Sequence, residues 1–200
     1  MARELQYTSS IKDMPFMFSE MCRTAQLLCE GKNSDEIVAM SIQSNIYQLE
    51  REKRRRDVPL RMIKRLSTLD DSLISVIATG SERDAKVIAF LALIKADRLF
   101  FEYMREVYLD RYEAGRFEIS DKDFIGFIER KAQSSDVVAK WTSNNLVRIR
   151  NTYKNILCEA GLAKRNGDVL LIQKPLIDHA LLGLLDRDDV LYAKAMLLEA

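Results

Sequence analysis

Glycine and proline are scarce in this 200-residue chain, with only seven and three residues respectively. A sandwich or barrel of many short strands needs more turn residues than this. Leu, Ile, Ala, Lys, Arg and Glu are instead frequent, and most of these residue types favour helices. The composition therefore predicts an all-α protein.

Side chains that bind metals or act as nucleophiles are also few, with three cysteines and one histidine. Cys22 and Cys29 would lie about 10.5 Å apart along a helix, too far for a disulfide, and an odd number of cysteines fits a reducing compartment. His179 has no second imidazole with which to form a zinc site. The sequence contains no Gly-rich phosphate loop, Walker lysine, HExxH, GxSxG or CxxC motif. We therefore expect no metal, no cofactor and no enzymatic activity.

The chain lacks a long apolar run. The longest one, Val87–Ile94, is far shorter than the roughly 20 residues that span a bilayer. The first residues contain neither an apolar signal core nor an Arg-rich presequence free of acids. We therefore expect a cytoplasmic protein with no membrane partner.

Positive charge is concentrated in residues 51–65, although the formal net charge of the chain is only +1. Eight basic side chains against two acidic ones give this segment +6, so the other residues sum to −5. Such a block repels itself unless anions neutralise it. Three interpretations stay open: a flexible solvated loop, a phosphate-binding surface, and a contact for an acidic protein. This basic cluster consists of Arg51, Lys53, Arg54, Arg55, Arg56, Arg61, Lys64 and Arg65.

Helix signals divide the chain into three predicted modules, residues 1–69, 70–132 and 133–200. In the first module the sequence predicts a helix from Pro15 to Glu30, a second capped by Asn33 or Ser34, and a two-sided helix from Val58 to Leu69. The two-sided helix is expected to bury Met62, Ile63, Leu66 and Leu69 and to expose Arg61, Lys64 and Arg65 on the opposite face.

The middle module is the predicted structural centre. Asp70 is expected to cap a short helix, and Ser81 to start a long one. That long helix is apolar nearly all round between Ala85 and Ile94, which indicates burial on every side. It is expected to continue beyond Leu99 with Phe100, Met104, Val107 and Tyr108 inside and Glu102, Arg105 and Glu106 outside, followed by a helix at 120–131 that buries Phe124, Phe127 and Ile128.

The last module has the order short helix, long helix, hairpin. Ser135 or Asp136 is expected to start the short helix, and Thr142 or Ser143 caps a longer one that ends at about Ala160. Asn166 with Gly167 before an apolar run is typical of a β-hairpin with a type I′ turn. This order indicates a winged helix-turn-helix with one small C-terminal β-hairpin as the wing. Two closing helices are expected at 175–185 and 188–198.

Asparagine and arginine line one face of the predicted long helix. These side chains can make paired hydrogen bonds to adenine and guanine edges in the major groove. A merely solvated face is the alternative, although Asn is a mediocre helix former. Basic side chains beside this stripe and at the hairpin are expected to reach phosphates. The stripe consists of Asn144, Arg148, Asn151 and Asn155, and the cations beside it are Arg150, Lys154, Lys164 and Arg165.

Three segments resemble the BrxA family of BREX bacteriophage-exclusion systems: 65–69, 85–101 and 138–162. The resemblance extends over roughly residues 15–185 and consists of core and helix patterns without a catalytic signature. It implies a small, all-helical, cytoplasmic bacterial protein with a NusB-like fold that binds nucleic acid. It also implies partners in phage defence, namely a methyltransferase, an ATPase and a phosphatase-like protein.

Two hypotheses follow. In the first, the chain is a DNA-binding component of a phage-defence complex that uses the basic cluster for phosphates and the long helix with its wing for the groove. The NusB likeness favours RNA and the winged order favours duplex DNA; we expect duplex DNA. In the second, the chain is an adaptor whose basic cluster docks an acidic protein, and nucleic acid is incidental.

Overall fold

The computed structural model describes residues 5–198 and divides the chain into two compact units. The helical unit is Phe16–Ala96, and the mixed unit runs from Asp97 onward and includes the segment up to Pro15. The three modules expected from the sequence do not coincide with these units. The division falls inside the predicted long helix, because Asp97 has extended backbone and its side chain accepts a hydrogen bond from the Phe100 N–H, which starts a new helix.

Five helices form the helical unit: α1 (Phe18–Cys29), α2 (Ser34–Ser44), α3 (Glu52–Leu66), α4 (Asp71–Thr79) and α5 (Glu82–Ala96). The predicted all-round burial of α5 is confirmed, since every residue from 85 to 94 is buried except Lys86. Asn33 and Glu36 form a reciprocal capping box at the start of α2, and the Asp70 carboxylate caps α4. The predicted starts of α2 and α4 are confirmed. They could be predicted from the sequence because each cap joins residues only three positions apart.

Helix α3 begins six residues earlier than predicted, so most of the basic cluster is helical and the loop interpretation is wrong. Pro59 lies inside α3 and has no N–H for the carbonyl of Arg55, four residues earlier. The buried hydroxyl of Ser41 on α2 donates to that carbonyl at 2.6 Å instead. The helix therefore passes through a proline because a neighbouring helix supplies the missing donor.

The mixed unit combines short and long helices with a three-stranded sheet. Its strands are β1 (Glu118–Ile119), β2 (Ala163–Asn166) and β3 (Val169–Ile172), in the antiparallel order β1-β3-β2. Only the hairpin of β2 and β3 is predicted from the sequence. Its helices are α6 (Arg98–Tyr103), continued by a π-helical segment at Met104–Leu109 and by α7 (Asp110–Glu113), then α8 (Asp121–Ser134), α9 (Asp136–Ala139), α10 (Ser143–Glu159), α11 (His179–Leu182) and α12 (Val190–Ala195).

Aromatic rings fill the core of the mixed unit, as the sequence predicts. Tyr153 of α10 stacks on Phe100 at 4.1 Å between ring centroids and also meets Tyr103 and Phe124. Burial raises the pKa of Tyr153 well above its ordinary value. The hydroxyl of Tyr108, in the π-helical segment, donates a hydrogen bond to the carbonyl of Leu162 at 2.7 Å. This contact joins the π-helical segment to the start of the hairpin.

Several local expectations need correction. Asn166 pairs with Val169, so the two turn residues are Gly167 and Asp168, and only Gly167 has positive φ (56°). That pattern fits a type II′ turn instead of type I′. Glu102 is buried instead of exposed. Helix α1 starts at Phe18 instead of Pro15, and the closing helices α11 and α12 are shorter than predicted. Within residues 5–198, every helix is too short or too polar to cross a membrane.

Candidate nucleic-acid interface

The side chains of the basic cluster have three different environments on α3 and at its start. Arg51, Lys53, Arg56 and Lys64 are exposed. Arg54, Arg55 and Arg61 are half-buried, and Arg55 also donates its Nε–H to the carbonyl of Leu49 at 2.9 Å. Arg65 is buried. The cluster is therefore not one uniform charged surface.

The position of Arg65 corrects the prediction that it lies opposite the core. It follows Met62 by three residues and precedes Leu66, so the helical period places it on the apolar face. Its side chain is 3% exposed, and Nη1 donates to the carbonyl of Phe16 at 3.0 Å. Arg65 holds the start of the helical unit in place and is not at the surface to meet a phosphate.

The outward face of α3 carries unpaired positive charge. Lys53, Arg56 and Lys64 lie on this face, opposite Met62 and Leu66, and the exposed Leu60 lies between them. None of these three cations forms an ion pair with another residue in the range 5–198, and neither do Arg51, Arg54 and Arg61. We call Lys53, Arg56, Leu60, Arg61 and Lys64 the α3 surface.

The polar stripe of α10 is exposed along its length, as the helical phase predicts. Asn144, Arg148, Asn151 and Asn155 all face solvent. Ile149, Tyr153, Ile156 and Leu157 are buried on the opposite side. The Thr142 hydroxyl accepts a hydrogen bond from the Asn145 N–H at 3.3 Å, so the predicted cap of α10 is confirmed.

The hairpin lies directly beside this stripe. Lys164 and Arg165 on β2 are exposed. Arg165 Nη2 donates to Asn155 Oδ1 at 2.6 Å, and Lys154 Nζ donates to the carbonyl of Asp168 in the turn at 3.4 Å. Stripe and hairpin therefore form one continuous surface. We call it the α10 surface, made of Asn144, Val147, Arg148, Asn151, Asn155, Lys164 and Arg165.

Two carboxylates that sequence reasoning missed neutralise the cations of α10. Asp121, at the start of α8, pairs with Arg150 at 2.8 Å and with Lys154. These two side chains are only 22% and 14% exposed, so they join α8 to α10 and are not the free phosphate contacts that the sequence suggested. Asp121 stands in the first turn of a helix, where the helix dipole alone explains an acid, so the sequence carried no further signal.

Asp13 is the second of these carboxylates. Its Oδ1 accepts a hydrogen bond from Nη2 of Arg148 at 2.8 Å, across 135 positions of sequence. Hydrogen bonding to Lys12, opposed by partial burial and reinforced by Arg148, holds the pKa of Asp13 below its ordinary value. No local pattern could have paired residues so far apart in the chain.

Known proteins resemble this chain in sequence and in fold. The family model of BrxA matches residues 5–189. The chain belongs to the BrxA family. A BREX protein BrxA of Bacillus cereus (strain H3081.97) is 35% identical over 178 residues, 89% of each chain. A BREX protein BrxA of Escherichia coli O9:H4 (strain HS) is 24% identical over 147 residues, 74% of this chain and 69% of that protein.

The fold of this BrxA-family chain also occurs in a solved structure. The crystal structure of an uncharacterized protein from Magnetospirillum magneticum superposes with a TM-score of 0.81 at 20% sequence identity. The match covers 96% of this chain and 98% of the other. Membership of the BrxA family confirms the resemblance found in the sequence, and both curated relatives are named as BREX proteins.

Proposed function

We propose that this BrxA-family chain is a non-enzymatic, duplex-DNA-binding component of a BREX phage-defence system. The observation that carries the proposal is the exposed α10 surface, in which a helix bearing Asn and Arg adjoins a basic hairpin. The three free cysteines fit a reducing cytoplasm. The other BREX proteins, among them a methyltransferase, an ATPase and a phosphatase-like protein, are its proposed partners.

The order of elements in the mixed unit supports a winged helix-turn-helix. The elements follow one another in the order α6 to α7, β1, α8, the short α9, α10 and the hairpin. The strands of the sheet have the order β1-β3-β2. In helix-turn-helix proteins the later helix enters the major groove and its N-terminal residues contact base edges. By that analogy α10 is the recognition helix, and Asn144 lies in its first turn.

The α3 surface supports the same function through a different contribution. Its cations have no acidic partners within the described part of the chain, so phosphate groups can neutralise them without breaking existing ion pairs. Binding of phosphates by Lys and Arg releases counterions and does not depend on base sequence. The α3 surface would therefore raise affinity, and the α10 surface would supply any preference among sequences.

The test is a salt titration of binding to a fluorescent duplex, with hairpin RNA as competitor. The wild type is expected to bind duplex DNA with a steep salt dependence and to prefer it to the hairpin. Lys53→Gln combined with Arg56→Gln should reduce the slope of log K against log salt by about two, since each phosphate contact contributes about 0.9. Arg55 is left intact because it holds the Leu49 carbonyl.

The matched control removes the same charge elsewhere in the helical unit. Lys32 and Arg83 already pair with Glu36 and Asp84, so Lys32→Gln combined with Arg83→Gln should leave the slope unchanged. Absence of duplex binding at low salt would refute the proposed function. If the two double variants had equal slopes of log K against log salt, the α3 surface would have no part in duplex binding.

Leu60 favours a second candidate, an adaptor that docks an acidic protein. This side chain is 49% exposed in the middle of the cations of the α3 surface. An exposed leucine among charges can anchor a helix in an apolar pocket of a partner protein. Under this alternative Leu60→Gln should abolish co-purification with the other BREX proteins and leave duplex affinity unchanged. Loss of duplex affinity alone would favour the first candidate.

A further inference from the structure

We propose that the α10 surface selects A·T base pairs in the major groove. Asn144 and Asn151 would read adenine, Val147 would contact the thymine methyl group, and Asp13 would hold Arg148 away from guanine. This inference rests on the proposed duplex binding and adds a base preference to it.

The amides of Asn144 and Asn151 are available for base edges. Both side chains are exposed on the same face of α10, and neither makes a hydrogen bond within residues 5–198. Seven residues separate them, about 10.5 Å along the helix, which matches about three base steps of 3.4 Å. A free Asn amide pairs with N6 and N7 of adenine. Asn155 is excluded because its Oδ1 already accepts a hydrogen bond from Arg165.

Val147 places an apolar side chain between these amides. It is 43% exposed and lies three residues after Asn144 and four before Asn151, so the three side chains are neighbours on the helix. Among the major-groove edges, only thymine presents a methyl group. Val147 therefore fits the base that pairs with the adenine contacted by the amides.

Arg148 is the one side chain of the polar stripe that would favour guanine, because a guanidinium binds O6 and N7 together. The carboxylate of Asp13 holds it at 2.8 Å. Asp13 is itself held in place: the nearby Ile11 is buried, the Asp13 N–H donates to the carbonyl of Ser10, and Lys12 pairs with the second carboxylate oxygen. The two side chains are 52% and 55% exposed, so Asp13 would act as a positioning residue that competes with guanine for Arg148.

The test compares fluorescent duplexes of equal length whose central base pairs are either A·T or G·C, with the full-length protein. The A·T duplex should bind about tenfold more tightly. Asn151→Ala and Asn144→Ala should each lose most of this preference. The matched control is Asn145→Ala, one position further along α10 and about 100° away from the stripe, which should keep the preference. Replacing thymine by uracil should weaken binding of the wild type more than binding of Val147→Ala, whose shorter side chain makes less contact with the methyl group.

Asp13→Asn provides the second, independent measurement. It should release Arg148, tighten binding to the G·C duplex several-fold and reduce the preference for A·T. The same substitution in an Arg148→Gln background should leave the ratio of the two affinities unchanged. Circular dichroism is used to check that each variant is folded. Should Asp13→Asn fail to fold, Asn144→Ala and Asn151→Ala still test the base preference.

The outcomes separate the two proposals. Equal affinity for both duplexes, with no effect of Asp13→Asn on their ratio, would overturn the base preference and leave duplex binding intact. A uniform increase for both duplexes in Asp13→Asn would also overturn it, because Asp13 would then act only on phosphates. Absence of binding to any duplex would instead refute the proposed function.

Discussion

The buried carboxylate of Glu102, in the mixed unit, has several charged and polar partners. Glu102 of α6 accepts hydrogen bonds from Arg98 at 2.8 Å and from the hydroxyl of Tyr7 at 2.8 Å, and it pairs with Lys131 of α8 at 2.6 Å. Arg98 also lies 4.3 Å from the centroid of the Tyr7 ring. This network attaches the N-terminal segment to α6. Lys131 also pairs with Glu106, so Glu102 is the member of this network that depends most on its partners, since its charge is largely out of water.

The Glu102 network predicts a pH-dependent stability. Burial opposes the charge of Glu102, but the hydrogen bonds from Arg98, Lys131 and Tyr7 outweigh it and hold its pKa below its ordinary value. A carboxylate with a lowered pKa stabilises the fold above its unfolded pKa, and this contribution is lost as pH falls through the folded pKa. Glu102→Gln should therefore lower the free energy of unfolding by about 1–3 kcal/mol at neutral pH.

Urea unfolding at neutral pH and in acid, below the lowered pKa of Glu102, measures this effect. The difference between wild type and Glu102→Gln should shrink at the lower pH. Glu129→Gln, an exposed carboxylate on α8, is the control and should behave as the wild type at both values. A difference that persists unchanged in acid would contradict the role given to the Glu102 charge.

Elements in this protein depend on their neighbours for backbone hydrogen bonds. Helix α3 contains Pro59 and stays helical because Ser41 of α2 donates to the carbonyl that the proline leaves free. Most of the basic cluster is therefore helical because Ser41 of a neighbouring helix supplies this hydrogen bond. The same dependence on a neighbour joins α10 to the hairpin through Arg165 and Asn155.

A double-mutant cycle tests the contact between α2 and α3. Ser41→Ala should destabilise the helical unit by about 1–3 kcal/mol, because the carbonyl of Arg55 loses its donor. The same change in a Pro59→Ala background should cost much less, since an alanine at that position supplies its own N–H to the carbonyl. Thermal and urea unfolding give the four free energies. Ser44→Ala, on the exposed end of α2, is the control; equal costs in both backgrounds would contradict the contact.

Although the net charge of the chain is close to zero, the α3 surface and α10 differ in how their cations are paired with acidic residues. The α3 surface keeps its cations unpaired within the described residues, whereas Arg148, Arg150 and Lys154 of α10 are each paired with Asp13 or Asp121. Unpaired cations at the start of a helix oppose its dipole. The α3 surface should thus bind polyanions at some expense in stability, a common compromise at functional sites.

Opposite ends of α3 should respond oppositely to charge removal. Lys53→Gln, in the first turn, should raise stability by about 0.5 kcal/mol at low salt, because it removes a cation from the positive end of the helix dipole. Lys64→Gln, in the last turn, should lower it slightly. Thermal unfolding at low and high salt measures both, and high salt should reduce both effects. The same sign for the two variants would contradict this account.

Features that depend on residues a few positions apart were determined by the sequence alone. Spacing within one or two turns predicts the helical class, a cap for α2 at Asn33 or Ser34, the all-round burial of α5 and the exposed phase of the α10 stripe. The reciprocal capping box of Asn33 with Glu36 is seen only in the structure. The hairpin also followed from its turn residues, although its turn type did not. Family membership was visible in the same core patterns.

Partners distant in the chain were decided only by the tertiary structure. The pairing of Asp13 with Arg148, the pairing of Asp121 with two cations of α10 and the donor that Ser41 provides to α3 each join separate elements. Arg65 belongs to the core because the carbonyl of Phe16 receives its guanidinium. Helical period and charge show which side chains can reach a surface, but only packing brings together the groups that neutralise or bury them.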